Sequence, residues 1–364
     1  MENLFRIFIL FILISNICIG QNLDTLLENN EKKFTDSILD FNENQEKLKL
    51  SRDYYNKGVY FVELGSYTDA VNNFTAAIEI DSLFISAYFN RAIVYSQLSN
   101  YKNSLLDFAT VISLDSANTL YLYKRAEIYR SINNDSLALA DYQLIISIDN
   151  NHHKAYYEMA IIMLLQGKID KAMASYSKSL EIKPTANAYN DRAGCYRKVK
   201  MYEEAIKDYK AAILLDERSI FYNNLAAIYR INEDFEKALA NYNLSIEKDP
   251  EYEIAYNNRG RLYFEMQDLS AAAADFNKAI KLNPNYAPPY NNRGIVSHVE
   301  KDYISAINDF DIAIELDINY SKAYLNRGIT KQMIRDEEGA CEDWEKAYNL
   351  GLKLVNKYLI NDCY

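Results

Sequence analysis

Small side chains return along this chain at a fixed interval, and that interval constrains the fold more than any single motif. They stand at Gly58, Ala92, Ala126, Ala160, Ala193, Ala226, Gly260, Gly294 and Gly328, spaced by 33 or 34 residues. Twelve residues after each comes a second small residue: Ala70, Ser104, Ala138, Ala172, Ala205, Ala238, Ala272, Ala306 and Ala340. Four further on stands an aromatic ring: Phe74, Phe108, Tyr142, Tyr176, Tyr209, Tyr242, Phe276, Phe310 and Trp344. Three columns held in register over nine units mark an array of one supersecondary element. In the seventh unit Tyr256, Gly260 and Tyr263 share one helical face, and Ala272, Phe276 and Ala279 share another. A polar stretch, Met266 to Asp268, lies between them. Each unit therefore reads as helix, tight turn, helix, with Pro184, Pro250 and Pro284 placed where the second helix must stop. Glycine inside a helix costs about 1 kcal/mol relative to alanine, so Gly260, Gly294 and Gly328 in register predict close approach of the paired helices. Burying one ring is worth about 1.5–3 kcal/mol. No single hairpin can bury its own, so the units must stack.

The aromatic–small–aromatic helix followed by the small–aromatic–small helix, as in Tyr256, Gly260, Tyr263, Ala272, Phe276, Ala279 and Pro284, resembles the tetratricopeptide repeat. The resemblance covers about residues 51–354, with Met163, Ser297 and Lys331 replacing the second aromatic of the first helix. It implies an all-α, right-handed superhelical solenoid of about nine antiparallel helix pairs, with a concave groove. It also implies a protein-binding scaffold or adaptor. The expected division is a signal peptide at 1–20, a helical leader or N-terminal cap at 21–50, nine repeats at 51–351, and a C-terminal capping helix and tail at 352–364. The last repeat, around Gly339 to Ala347, resembles the terminal unit of exported bacterial proteins of this family.

Two further columns vary together. One residue before the small column stand Arg91, Arg125, Arg192, Arg259, Arg293 and Arg327; immediately before the ring stand Asp107, Asp141, Asp208, Asp275, Asp309 and Asp343. The three repeats without Arg (Lys57, Met159, Leu225) also lack Asp (Asn73, Ser175, Asn241). An Arg–Asp bridge between the two helices of one repeat is expected, its role the orientation of the hairpin; shared ancestry of duplicated units is the other explanation of the pattern.

By the resemblance, the residues three before, one after and four after the small residue face the groove. The minus-three column reads Tyr55, Phe89, Tyr123 and Tyr157, then Asn190, Asn223, Asn257 and Asn291. Arg130, Arg197, Arg230 and Arg261 come from the other two columns. The expectation is a groove aromatic in its first half and amide-lined and locally basic in its second, able to hold an extended polypeptide backbone through side chains that both donate and accept. Asn223→Ala with Asn257→Ala should then weaken peptide capture with little loss of melting temperature. The competing reading is that these Asn support neighbouring helices or are merely solvated.

Charge and chemistry narrow the function. The net charge of −11 argues against a nucleic-acid partner, which needs a basic footprint. His152, His153 and His298 are the three histidines, and none has Cys or carboxylate partners at zinc spacing. No phosphate loop or nucleophile motif is present. A non-enzymatic protein without metal or cofactor is expected. Residues 1–20 carry Arg6, an apolar run from Ile7 to Ile14 and a small residue, Gly20, at a plausible cut site. The run is shorter than the ~20 residues a membrane span needs, so export without a lasting span is expected, the periplasm favoured. Cys341 and Cys363 flank Gly351 and would pair as a disulfide on an antiparallel return, whereas Cys195 falls in a core column. The expected function is a scaffold that holds polypeptide segments in its groove and organises envelope complexes. The alternative is a glycan- or cell-wall-associated protein that stacks sugars on its tyrosines.

Overall fold

The computed structural model describes the backbone of residues 2–363 and the side chains of residues 28–363. The side chains and cut site of the expected signal segment, 1–20, lie outside the described residues. Among the described residues every regular element is helical, and no helix is long and apolar enough to cross a membrane. The chain forms two bodies, residues 1–150 and 151–364.

In the first body α1 (Glu2–Glu63) pairs with α2 (Tyr67–Ile80), α3 (Ile85–Gln97) with α4 (Tyr101–Leu114), and α5 (Thr119–Ser131) with α6 (Asp135–Ile148). The C-terminal end of α1 is the first helix of repeat one. The same helix continues upstream without a break, exposed throughout residues 28–50. The second body holds six pairs: α7 (His153–Leu165) with α8 (Ile169–Ile182), α9 (Ala186–Lys198) with α10 (Tyr202–Leu215), α11 (Ser219–Ile231) with α12 (Phe235–Lys248), α13 (Glu253–Glu265) with α14 (Leu269–Leu282), α15 (Ala287–Val299) with α16 (Tyr303–Leu316), and α17 (Ser321–Met333) with α18 (Glu337–Asn349).

One device makes every intra-repeat turn. The residue seven after the small column has positive φ in all nine repeats: Gly65, Ser99, Asn133, Gly167, Lys200, Glu233, Gln267, Lys301 and Arg335. In repeat seven Gln267 N–H donates to Phe264 O at 3.0 Å and Asp268 N–H to Tyr263 O at 2.9 Å, closing the orphan carbonyls of α13. Asp268 Oδ1 then caps α14 by accepting from Ala271 N–H, and Asn100, Asn134, Asp234, Asp302 and Asp336 cap their helices in the same way. The left-handed conformation costs a side-chain-bearing residue about 1–2 kcal/mol, which these bonds offset.

The nine rings, Phe74 to Trp344, are 0–1% exposed. Glycine in the small column makes room for the ring of its own repeat: a Cβ on Gly58, Gly260, Gly294 or Gly328 would lie 2.6–2.8 Å from Phe74, Phe276, Phe310 or Trp344. On the other side rings meet the next repeat of their own body. Tyr176 clusters with Cys195, Tyr209 with Ile228, Tyr242 with Leu262, and Phe276 with Val296. Cys195 is thus a core side chain whose thiol burial pushes up to about 11. At Trp344 the segment 352–363 packs where other rings meet a repeat. Tyr358 stacks on it at 4.9 Å and Leu359 packs beside it. This cap is made of consecutive short helical turns, Lys353–Val355, Asn356–Tyr358 and Leu359–Cys363, held to α18 by a disulfide between Cys341 and Cys363.

Candidate binding groove

Six arginines tie the two helices of their own repeats together. In repeat seven Arg259 Nε and Nη2 donate to Asp275 Oδ2 and Oδ1 at 2.8 and 2.7 Å, a bidentate bridge from α13 to α14. Arg91–Asp107, Arg125–Asp141, Arg192–Asp208, Arg293–Asp309 and Arg327–Asp343 repeat the geometry. The third nitrogen reaches a different helix. Arg259 Nη1 donates to Asn243 Oδ1 at 2.7 Å, on the second helix of the preceding repeat, and Thr75, Ser177, Asn277 and Asp311 serve Arg91, Arg192, Arg293 and Arg327 alike. Tyrosines flank the guanidinium, Tyr256 and Tyr263 at 5.6 and 5.8 Å from Arg259, which accounts for much of the Tyr richness of the first helices. Arg91, Arg192, Arg259, Arg293 and Arg327 therefore each join two repeats as well as two helices. The sequence signal for this third contact is a polar residue just after the ring of the preceding repeat, Thr75, Ser177, Asn243, Asn277 or Asp311, whereas Ala109 stands there before Arg125.

The minus-three column is not an open row. Asn223, Asn257 and Asn291 are each 3% exposed. Their Oδ1 atoms accept from the following repeat: Asn258 Nδ2 to Asn223 at 3.0 Å, Asn292 to Asn257 at 2.9 Å, and Asn326 to Asn291 at 2.9 Å. Asn224 Nδ2 likewise donates to Asn190 Oδ1 at 2.9 Å. All four amides expected to face a ligand, Asn190, Asn223, Asn257 and Asn291, are engaged by the following repeat, and Asn257 and Asn291 also line the cavity of repeats seven to nine. They form the seam between repeats, because the helix 34 or 35 residues further along covers the face they occupy. Asn223→Ala with Asn257→Ala would open that seam and lower stability. The aromatic members are half-buried on their own core rings: Tyr55 on Phe74 at 5.7 Å, Phe89 on Phe108 at 6.1 Å, Tyr123 on Tyr142 at 5.8 Å, Tyr157 on Tyr176 at 5.7 Å. Tyr55 Oη accepts from Asn90, and Tyr157 Oη donates to Asp191. They are a supporting layer rather than a free stacking surface.

An accessible concavity lies in repeats seven to nine. It is a cavity of about 590 Å³, within the ~300–1,000 Å³ range of ligand sites. The minus-two amides Asn258, Asn292 and Asn326 line it together with the minus-three Asn257 and Asn291, the charged Arg261, Lys322 and Glu265, the phenols of Tyr286 and Tyr320, and apolar Pro288, Ile295, Leu325, Leu352 and Leu354. Burial raises the Tyr286 and Tyr320 phenols, with Arg261 pulling both the other way, so both stay neutral donors. Of the four arginines expected to face the groove, Arg261 lines this cavity. Arg230 is taken by Glu265, Arg197 is exposed on α9, and Arg130 is half-buried on α5 in the first body.

Tetratricopeptide repeat models match residues 54–82, 85–118, 153–185, 186–219 and 254–286, and a model described as TPR repeat matches 226–267. The chain belongs to the tetratricopeptide repeat family. As a tetratricopeptide repeat protein it is a protein-interaction scaffold. No curated protein matches the sequence. Among solved structures, one of the APC/C hetero-tetramer Cut9–Hcn1 is similar, with TM-score 0.53 and 15% identity over 72% of this chain and 52% of that one. A structure of Pseudomonas aeruginosa pilF gives TM-score 0.48 and 20% identity over 56% and 93%. Yeast Tom70 gives 0.44 and 14% over 85% and 94%. At these identities the likeness to Cut9–Hcn1 speaks to the repeat fold alone.

Asp191 escaped the sequence reading. It stands in the minus-two column where repeats six to nine carry Asn224, Asn258, Asn292 and Asn326, and it accepts from Tyr157 Oη at 2.7 Å and Asn190 Nδ2 at 2.9 Å. The available signal was a pair of adjacent acids, Glu158 and Asp191, in a column that is amide in six of its nine repeats.

Proposed function

We propose that this protein is an exported scaffold that holds a polypeptide segment in the groove of repeats seven to nine and so organises protein complexes of the cell envelope. The observation that carries the groove assignment is the row Asn258, Asn292 and Asn326 in one cavity with Arg261 and Lys322. Each amide gives one N–H to the seam and keeps a second, with a spare lone pair. That is the equipment for a main chain, while the apolar wall of Pro288, Ile295, Leu325 and Leu354 suits its side chains. In a chain of net charge −11, the one lining acid, Glu265, is held by Arg230, so Arg261 and Lys322 are left in excess and favour a segment that carries carboxylate. Export rests on the signal-like residues 1–20 and agrees with the Cys341–Cys363 disulfide, since such bonds persist in oxidising compartments. Sugar stacking is less well supported, because the minus-three rings are half-buried.

The test is capture from envelope extract by the immobilised protein and by the variant Arg261→Ala with Ile295→Glu, whose side chains lie outside the amide seam. Polypeptide retained by the wild type and lost by the variant supports the assignment. Retention of polysaccharide, or equal capture by both, refutes it.

A further inference from the structure

The amides of repeats five to nine form one hydrogen-bonded series. From its far end, Asn326 Nδ2 donates to Asn291 Oδ1, Asn291 Nδ2 to Asn292 Oδ1 at 3.2 Å, and Asn292 Nδ2 to Asn257 Oδ1. Asn257 Nδ2 faces Asn258 Oδ1 at 3.5 Å, Asn258 Nδ2 donates to Asn223 Oδ1, Asn223 Nδ2 faces Asn224 Oδ1 at 3.4 Å, and Asn224 Nδ2 donates to Asn190 Oδ1. The series ends at Asn190 Nδ2 on Asp191 Oδ1. Every donor points the same way, toward Asp191.

A primary amide can turn over and exchange donor for acceptor. Reversing the whole series would keep the number of bonds inside it. Only its end distinguishes the two directions. A carboxylate has no N–H and accepts only. Reversal would set Asn190 Oδ1 against Asp191 Oδ1, lone pair against lone pair, and would forfeit a charge-assisted bond. Asp191 therefore decides Asn190, Asn190 decides Asn224, and so on through each link. Tyr157, the second donor on Asp191, is held neutral because burial and Asp191 raise its phenol. At the other end Asn326 Oδ1 lies at the cavity with no donor from the protein among the described residues.

We propose that Asp191 is a positioning residue that fixes the direction of this amide row and, through it, the chain direction of the polypeptide segment the groove takes. A polypeptide presents N–H and C=O in an order that differs between its two directions. A row whose free N–H and lone pair follow one order at Asn258, Asn292 and Asn326 matches one of them. The ligand half of this inference rests on the groove assignment above; the amide half does not.

The test uses the full chain with asparagine-selective ¹⁵N labelling. In the wild type each asparagine of the row should give one pair of side-chain amide signals, with one slowly exchanging hydrogen. In Asp191→Asn the end no longer dictates direction, and shifts or doubled signals should reach Asn258 and Asn292, repeats away. Tyr157→Phe removes the other partner but leaves an acceptor-only end, so its changes should stay at Asn190. The double variant Asn190→Asp, Asp191→Asn moves the carboxylate one step along and should restore the single set from Asn224 onward. This rescue keeps the test valid where Asp191→Asn is destabilised. Changes in Asp191→Asn confined to Asn190 and Asn224, or no rescue, overturn the proposal. A peptide selected from a random display library on the wild type and nitroxide-labelled at either end gives the second arm. One end only should broaden Asn326 in the wild type, and both ends in Asp191→Asn. One-sided broadening in both proteins overturns the directional claim, and a wild type that selects no peptide overturns the groove assignment while the amide spectra still judge Asp191.

Discussion

Arg259 and Asp275 offer the sharpest energetic test, because the chain contains its own reference for their removal. The Asp275 side chain is 9% exposed and that of Arg259 19%. Arg259→Leu would leave a buried carboxylate without its cation, at a cost of about 3 kcal/mol. Asp275→Asn would leave a guanidinium that still reaches Asn243 and some solvent, at about 2 kcal/mol. The double variant copies repeat six, where Leu225 and Asn241 occupy the same places and Leu225 is 3% exposed. Neither partner is then orphaned. What is lost is the bond to Asn243 and the tyrosine contacts, together about 2 kcal/mol. The singles and the double thus predict a coupling of about 3 kcal/mol, well above the ~0–1 kcal/mol of an exposed pair. Repeat arrays need not unfold in one step, so the assay is native-state hydrogen exchange resolved on α13 and α14. A coupling below about 0.5 kcal/mol would show that the bridge is surface decoration and that its two-repeat geometry is energetically idle.

Reduction of Cys341–Cys363, or Cys363→Ser, should cost about 3 kcal/mol for a closed loop of this separation, read as faster exchange in residues 352–363 and around Trp344. Gly194→Ala, whose Cβ meets nothing within 4 Å, should raise stability by up to about 1 kcal/mol. Gly328→Ala should instead lower it by about 1–2 kcal/mol, since its Cβ falls 2.6 Å from Trp344 Nε1; paired melting curves decide. His298 Nδ1 contacts Thr330 Oγ1 at 2.9 Å and burial lowers its pKa. The unfolded chain takes up this proton near pH 6.5 and the folded one only below that. Stability should therefore fall as pH drops through about 6.5, and His298→Gln should flatten that part of the stability profile.

The sequence made the repeat visible because one packing problem is solved nine times at the same positions: ring, small residue opposite, small residue beneath. The Arg and Asp columns could be matched because they vanish together in repeats one, four and six. The groove was harder to read. Helical-face arithmetic tells which way Asn223 or Asn257 points from its own helix. It does not tell that Asn258 or Asn292, on the helix that follows, has already claimed that direction. Lys200, Glu233 and Arg335 at positive φ were invisible for a related reason, since the turn is set by the bonds it closes and not by a glycine. The wall contributed by Leu352 and Leu354 depends on how the C-terminal turns fold back, which no column predicts.

The most direct measurement places a photo-crosslinking residue at Ile295, inside the cavity, and at exposed Lys281 on α14, in the living cell. Ile295 should yield discrete polypeptide adducts and Lys281 should not. Equal adducts from both sites, or none carrying polypeptide at Ile295, would contradict a groove that holds protein segments.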